Sequence, residues 1–305
     1  MKQNQRIFNR FAENLKSTMA DNNLALTKDG QKIDQMYYLC PISLMLFPQE
    51  SLIAGRLTIE HVPPRSLGGK PLLLTSKAIN SADGHSTDKT MLNFFQTENF
   101  KSGNGGILTI ISSEELDLNG VGVMLSIGKV RGKLGIKMLT STTNMEALDY
   151  KGLFKNWNGG KFKVRGNLQN SIEQKTLLKC AYLTAFASIG YPLIMSKEGL
   201  REQTFGPLID FLNGVSLEKS FPCVFFNHHA PIENSHLGIV TWEGGNRCFV
   251  VNLNFKLNDV NFQYAVFLPH PDSKDLKCIE ELALWQLEQR NTIIDFKVTP
   301  IHGRL

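Results

Sequence analysis

The chain lacks long apolar runs. Nowhere do the ~18–20 consecutive apolar residues that a bilayer-spanning helix needs occur. No membrane association is therefore expected. The first residues, MKQNQRIFNRFAENLK, have no apolar stretch of the signal-peptide kind, which argues against export. Cysteine is sparse: Cys40, Cys180, Cys223, Cys248 and Cys278 are odd in number, scattered and never in a C-x-x-C pair. That argues against a disulfide framework and against a closed four-cysteine zinc site, and it fits a reduced cytoplasm. Internal repeats and low-complexity tracts are missing too, which excludes solenoid and collagen-like architectures.

What remains is the composition of a folded soluble protein, 42% hydrophobic and 20% charged. At roughly 100–200 residues per domain, 305 residues suggest two domains. The net charge of +5 is uneven. The window 122–175 holds ten Lys/Arg against three acids, a local +7. Such asymmetry points to a polyanionic partner.

Apolar spacing predicts a helix over 5–20, with Phe8, Phe11, Leu15 and Met19 near one face. Asp21–Gln35 reads as a connector. Leu57–Val62 reads as a short strand that Pro63-Pro64 must end, and Gly68-Gly69 as a turn. Helices are expected over Thr75–Ala82, stopping near Gly84, and from about Ser86 to Phe95. Gly106–Ile111 and Val121–Ile127 are β-rich. The stretches 129–133 and 161–165 alternate basic with small or apolar residues. As strands they would put Lys129, Arg131 and Lys133 on one face, and likewise Lys161, Lys163 and Arg165. Solvated faces and phosphate contacts are both open readings of these two stretches.

The clearest helix carries Leu178, Ala181, Tyr182, Ala185, Phe186 and Ile189 as an apolar stripe, with Ser171 as N-cap and Gly190 closing it. Strands are expected over Cys223–Phe226, Leu237–Trp242, Arg247–Asn254 and Phe262–Leu268, and a last short helix over Ile279–Gln289. Tyr182, Phe186 and the tail phenylalanines read as core. His228, His229 and His236 match no metal-binding spacing and read as loop histidines.

Chemistry concentrates in Leu57-Thr58-Ile59-Glu60-His61-Val62-Pro63-Pro64-Arg65-Ser66-Leu67-Gly68-Gly69-Lys70 and in Leu73 to His85, LLTSKAINSADGH. A neutral imidazole can take a proton from water near pH 7, and side-chain oxygens suit a hard divalent cation. This stretch resembles the HNH endonucleases, the ββα-metal class. The resemblance spans about residues 36–95. It rests on the acid–His pair at a strand end, the prolines, the Gly-Gly-Lys turn, the apolar-Thr step and a following helix with Asn80.

The resemblance implies an α+β protein, with a ββα-metal motif followed by a mixed domain of antiparallel sheet and central helix. Its segments would be 1–35 (helix and connector), 36–100 (nuclease motif) and 101–305 (a nucleic-acid- or partner-binding region). It implies His61 as general base, Glu60 and Asn80 as catalytic and metal-holding residues, His85 as an alternative nitrogen ligand, and Mg²⁺ or Mn²⁺ as cofactor. DNA is the implied substrate, with RNA not excluded. Arg65, Lys70, Lys129, Arg131, Lys133, Lys161, Lys163 and Arg165 are the expected backbone contacts. A homo-oligomer or a partner protein stays open.

The family's zinc-binding variant has cysteines where this chain has Cys40, Ser43, Ser76 and Ile79, so no structural zinc is expected. The family's middle Asn falls near Pro71. These departures keep a second reading in view, a catalytically impaired HNH-like module that binds nucleic acid or protein.

Overall fold

The computed structural model describes residues 2–28, 31–32, 35–85, 87–102, 106–111, 123–130, 133–139, 169–215, 221–227, 237–241, 247–273, 276–288 and 298–301. It is a mixed α+β protein with small antiparallel sheets. Contacts divide it into two units, one of residues 1–89 with 173–305 and one of residues 90–172. No helix among the described residues is long and apolar enough to cross a membrane.

The first unit opens with helix α1 (Gln3–Asp21), whose buried face is Ile7, Phe8, Phe11, Leu15 and Met19. That is the face the apolar spacing predicts. Two-residue strands β1 (Thr27–Lys28) and β2 (Gln31–Lys32) pair within the connector. Strands β3 (Tyr37–Leu39) and β4 (Leu46–Pro48) form a hairpin, followed by the short helix α2 (Glu50–Ile53). Next come β5 (Leu57–Val62), β6 (Lys70–Ser76) and helix α3 (Lys77–His85).

The sequence places Thr75 and Ser76 at the start of a helix. They instead end β6, where Thr75 pairs with Thr58 and Ser76 with Leu57. β-branched Thr75 is better suited to the ladder than to a helix turn. The helix begins at Lys77 and runs through Gly84 rather than stopping there.

The second unit is described by itself. It contains most of α4 (Thr87–Lys101), then β7 (Gly106–Ile111), β8 (Val123–Val130) and β9 (Lys133–Leu139) in a three-stranded antiparallel sheet. The ladder pairs Val130 with Lys133 and Lys129 with Leu134. The chain therefore reverses inside 129–133. Lys129 ends β8 with Val130 and Lys133 opens β9, so the two lysines belong to different strands and not to one. Arg131, Lys161, Lys163 and Arg165 lie outside the described residues, as do His228, His229 and His236.

The chain returns to the first unit through helix α5 (Gln174–Ile189). Its N-cap is Glu173, whose carboxylate accepts from the Lys175 N–H, and not Ser171. Every residue from Thr176 to Ala187 is buried, so the expected stripe is in fact a helix covered on all sides. It packs against β5 and β6 and against strands and a helix that follow it in the chain. Phe186 stacks on Phe11 of α1 with ring centroids 5.4 Å apart.

Strands β10 (Met195–Ser196) and β11 (Gly199–Leu200) then precede α6 (Glu202–Asn213). Beyond it, β12 (Phe225–Asn227), β13 (Leu237–Thr241), β14 (Arg247–Leu257) and β15 (Val260–Pro269) lead to helix α7 (Lys277–Glu288) and β16 (Val298–Pro300). These five strands form one antiparallel sheet in the order β12-β15-β14-β13-β16. The cysteine reading needs correction here. Cys248 of β14 and Cys278 of α7 form a disulfide within the apolar cluster under the sheet, a pairing that their separation of 30 residues concealed.

Three tyrosines anchor the segment before the β5–β6 hairpin. The Tyr38 hydroxyl donates to the Leu74 carbonyl at 2.5 Å and accepts from the Leu74 N–H at 3.2 Å. The Tyr191 hydroxyl does the same to Leu39, at 2.6 and 3.0 Å. Tyr182 donates to the Pro41 carbonyl at 2.7 Å. Burial raises all three phenols well above their ordinary pKa, so they stay neutral donors. Tyr191→Phe should cost about 1–3 kcal/mol in urea unfolding, because it strands both backbone groups of Leu39 in the interior.

Candidate functional site

The β5–β6 hairpin and α3 bring together the residues singled out in the sequence. The ladder is antiparallel from Leu57↔Ser76 to Val62↔Lys70, with an irregularity between Glu60 and His61. Glu60 pairs with Leu73 and His61 with Pro71, so Leu72 is the extra residue of a β-bulge. Pro71 has no N–H to give the ladder, which suits it to such a position.

The turn is tight. Arg65–Leu67 form one 3₁₀ turn, and Gly68 follows at φ 82°, a left-handed conformation that favours glycine. Gly69 has a different constraint. A Cβ on it would fall on the carbonyl oxygen of Pro63, so the hairpin closes only with glycine there.

Alternation along β5 puts Glu60 and His61 on opposite sides of the strand. His61 is half-buried, and among the described residues no hydrogen bond ties its imidazole. Glu60 is buried at 5% exposure. Its Oε1 meets the Lys179 ammonium of α5 at 2.7 Å, and its Oε2 accepts from Thr75 Oγ1 at 2.8 Å. Lys179 is equally enclosed, with 5% of its side chain exposed.

Asn80 ties α3 to β5. Its Nδ2 donates to Thr58 Oγ1 at 2.9 Å and to the Ile59 carbonyl at 3.1 Å. The amide nitrogen is thus committed to holding the helix on the strand. His85 is the last residue of α3, and its side chain lies outside the described residues. Arg65 and Lys70 are both exposed on the turn.

Sequence reasoning missed two residues here. Lys179 is the first. It is the only charged side chain between Thr176 and Ser196, a signal that a buried partner must exist. Lys256, near the end of β14, is the second. It is exposed, and a Cβ built on Gly68 would stand 2.9 Å from its Cβ. No local signal marks it, because the long strand β14 carries it to the turn.

The fit to a divalent cation can be judged from these contacts. Among the described residues no group of three or more His, Cys, Asp or Glu side chains comes together to hold a metal ion. Glu60 already has an ammonium on one oxygen and a hydroxyl on the other. A cation added there would face the Lys179 charge in a poorly solvated place. Glu60 as placed does not fit a metal. Comparisons with family models, with curated proteins and with solved structures find no match.

Proposed function

We propose that the β5–β6–α3 unit is a phosphodiester hydrolase of the HNH kind acting on DNA, with His61 as the general base. The observation that carries this reading is a strand–turn–strand–helix unit that presents His61 half-exposed at a β-bulge while Asn80 clamps the helix to the same strand. A general base needs an accessible nitrogen beside the phosphate and an unstrained hold on its backbone.

In this reading His61 takes the proton from a water, the oxygen attacks the phosphorus in line with O3′, the P–O3′ bond breaks, and the departing O3′ is protonated from solvent. Asn80 acts through the backbone of β5. Arg65, Lys70 and Lys256, exposed on or beside the turn, draw the phosphate backbone by charge. The +7 window at 122–175 favours a polyanionic partner independently. Mg²⁺ or Mn²⁺ dependence belongs to the proposal as an assay variable, with no ligand role for Glu60. Plasmid nicking with each ion, for the wild type and His61→Ala, is the test. Equal nicking by both proteins would sink the reading.

A second reading, a binding module that does not cut, is favoured by the commitment of Glu60 to Lys179. It is recognised by DNA binding without nicking in any ion. In either case Lys256→Glu should weaken binding to all duplexes alike and make the salt dependence shallower, by about two units of slope for a reversed contact. Filter binding across a salt series checks this. An unchanged slope would remove Lys256 from the surface.

A further inference from the structure

Glu60 sits where the HNH resemblance calls for a metal-holding acid, yet the chain has already supplied a cation. Its carboxylate is 5% exposed and lies 2.7 Å from a lysine ammonium that is equally enclosed. The other oxygen is held by Thr75 on the neighbouring strand. A buried carboxylate needs a counter-charge, and a buried ammonium needs one as much. Each here satisfies the other, so neither is left to recruit an ion from solution.

The two charges also come from different elements. Glu60 belongs to β5 and Lys179 to α5, 119 residues later, in the helix on which the hairpin packs. The pair thus fastens the strand beside its bulged step to the core of the unit.

We propose that Lys179 is the permanent counter-cation of Glu60, and that this carboxylate anchors β5 and does not ligate a divalent metal. The inference deepens the hydrolase reading by removing one residue from its metal site, but its geometry does not depend on that reading. Any metal site must then be built without Glu60.

The experiment uses the full-length chain and three variants: Lys179→Met, Glu60→Gln, and the two combined. Glutamine keeps an acceptor for Thr75. Urea unfolding should show a large drop in midpoint for Lys179→Met, which leaves the buried carboxylate without its counter-charge, and a drop for Glu60→Gln, which takes the carboxylate away from the buried ammonium. The double variant should recover most of that drop. Mn²⁺ affinity, read from the electron paramagnetic resonance of the free ion, should be the same within about twofold in the wild type and the folded double variant.

A Lys179→Met protein with the wild-type midpoint would overturn the proposal. So would a double variant that folds like the wild type but binds Mn²⁺ tenfold more weakly. Neither measurement uses cleavage. A wild-type chain that nicks no DNA would end the hydrolase reading and leave this one to be judged by the midpoints and affinities alone.

Discussion

His61→Ala is expected to bind duplex DNA as the wild type does and to lose about 10²–10⁴-fold in nicking rate, the usual cost of removing a general base. The two effects separate because they rest on different residues. The charges proposed to hold the phosphate backbone are on Arg65, Lys70 and Lys256, while the imidazole is on the strand. No hydrogen bond among the described residues uses that imidazole to support the fold, so its removal should leave the unfolding midpoint nearly unchanged. The measurement is a gel shift beside a nicking time course on one preparation. A variant that neither binds nor cuts would assign His61 to substrate binding instead of proton transfer.

Gly69→Ala should be far more damaging to the fold. Adding a methyl group to a packed interior commonly costs ~1–3 kcal/mol, because side chains shift to make room. Here the obstructing atom is the carbonyl oxygen of Pro63, part of the chain that forms the turn. It can yield only if the hairpin opens. The expected loss is therefore at least about 3 kcal/mol, read by urea unfolding. Nicking should fall with it, since β6 and α3 would lose their register on β5. Gly55→Ala is the control. Gly55, unlike Gly69, has a positive φ, 64°, but no atom lies within 4 Å of an added Cβ, so conformational strain acts there without a steric clash. Equal losses from the two substitutions would refute the steric account.

The parts of the site written in adjacent residues were legible. Pro63-Pro64 and Gly68-Gly69 bracket a reversal, and Leu57–Val62 reads as a strand, as found. The second strand was harder. Lys70–Ser76 is apolar without clean alternation, because its bulge interrupts the period of two at Leu72. Helix α6 was missed although Phe205, Leu208, Ile209 and Leu212 have helical spacing and are buried. Gly206-Pro207 reads as punctuation, and burial of the opposite face overrides it. The sequence offers Asn80 for its oxygen; what it does not announce is the clamp its nitrogen makes on Thr58 and Ile59. Lys179 and Lys256 were beyond reach for one physical reason. Their partners are fixed by packing between distant segments, and periodicity carries only local information.

Synthesis order gives the Glu60–Lys179 pair a temporal meaning. Glu60 is added to the chain 119 residues before its counter-cation. At ~5–20 residues per second that interval is about 6–24 s. During it the hairpin has an acid that cannot be enclosed without cost, and α5, on which β5 and β6 pack, has not been made. The nascent hairpin is therefore expected to stay open at Glu60 until that helix is made. On that expectation His61 would reach its place beside the bulge after residues 90–172 and the helix that follows them have been made, an order that pulsed proteolysis of stalled nascent chains would check.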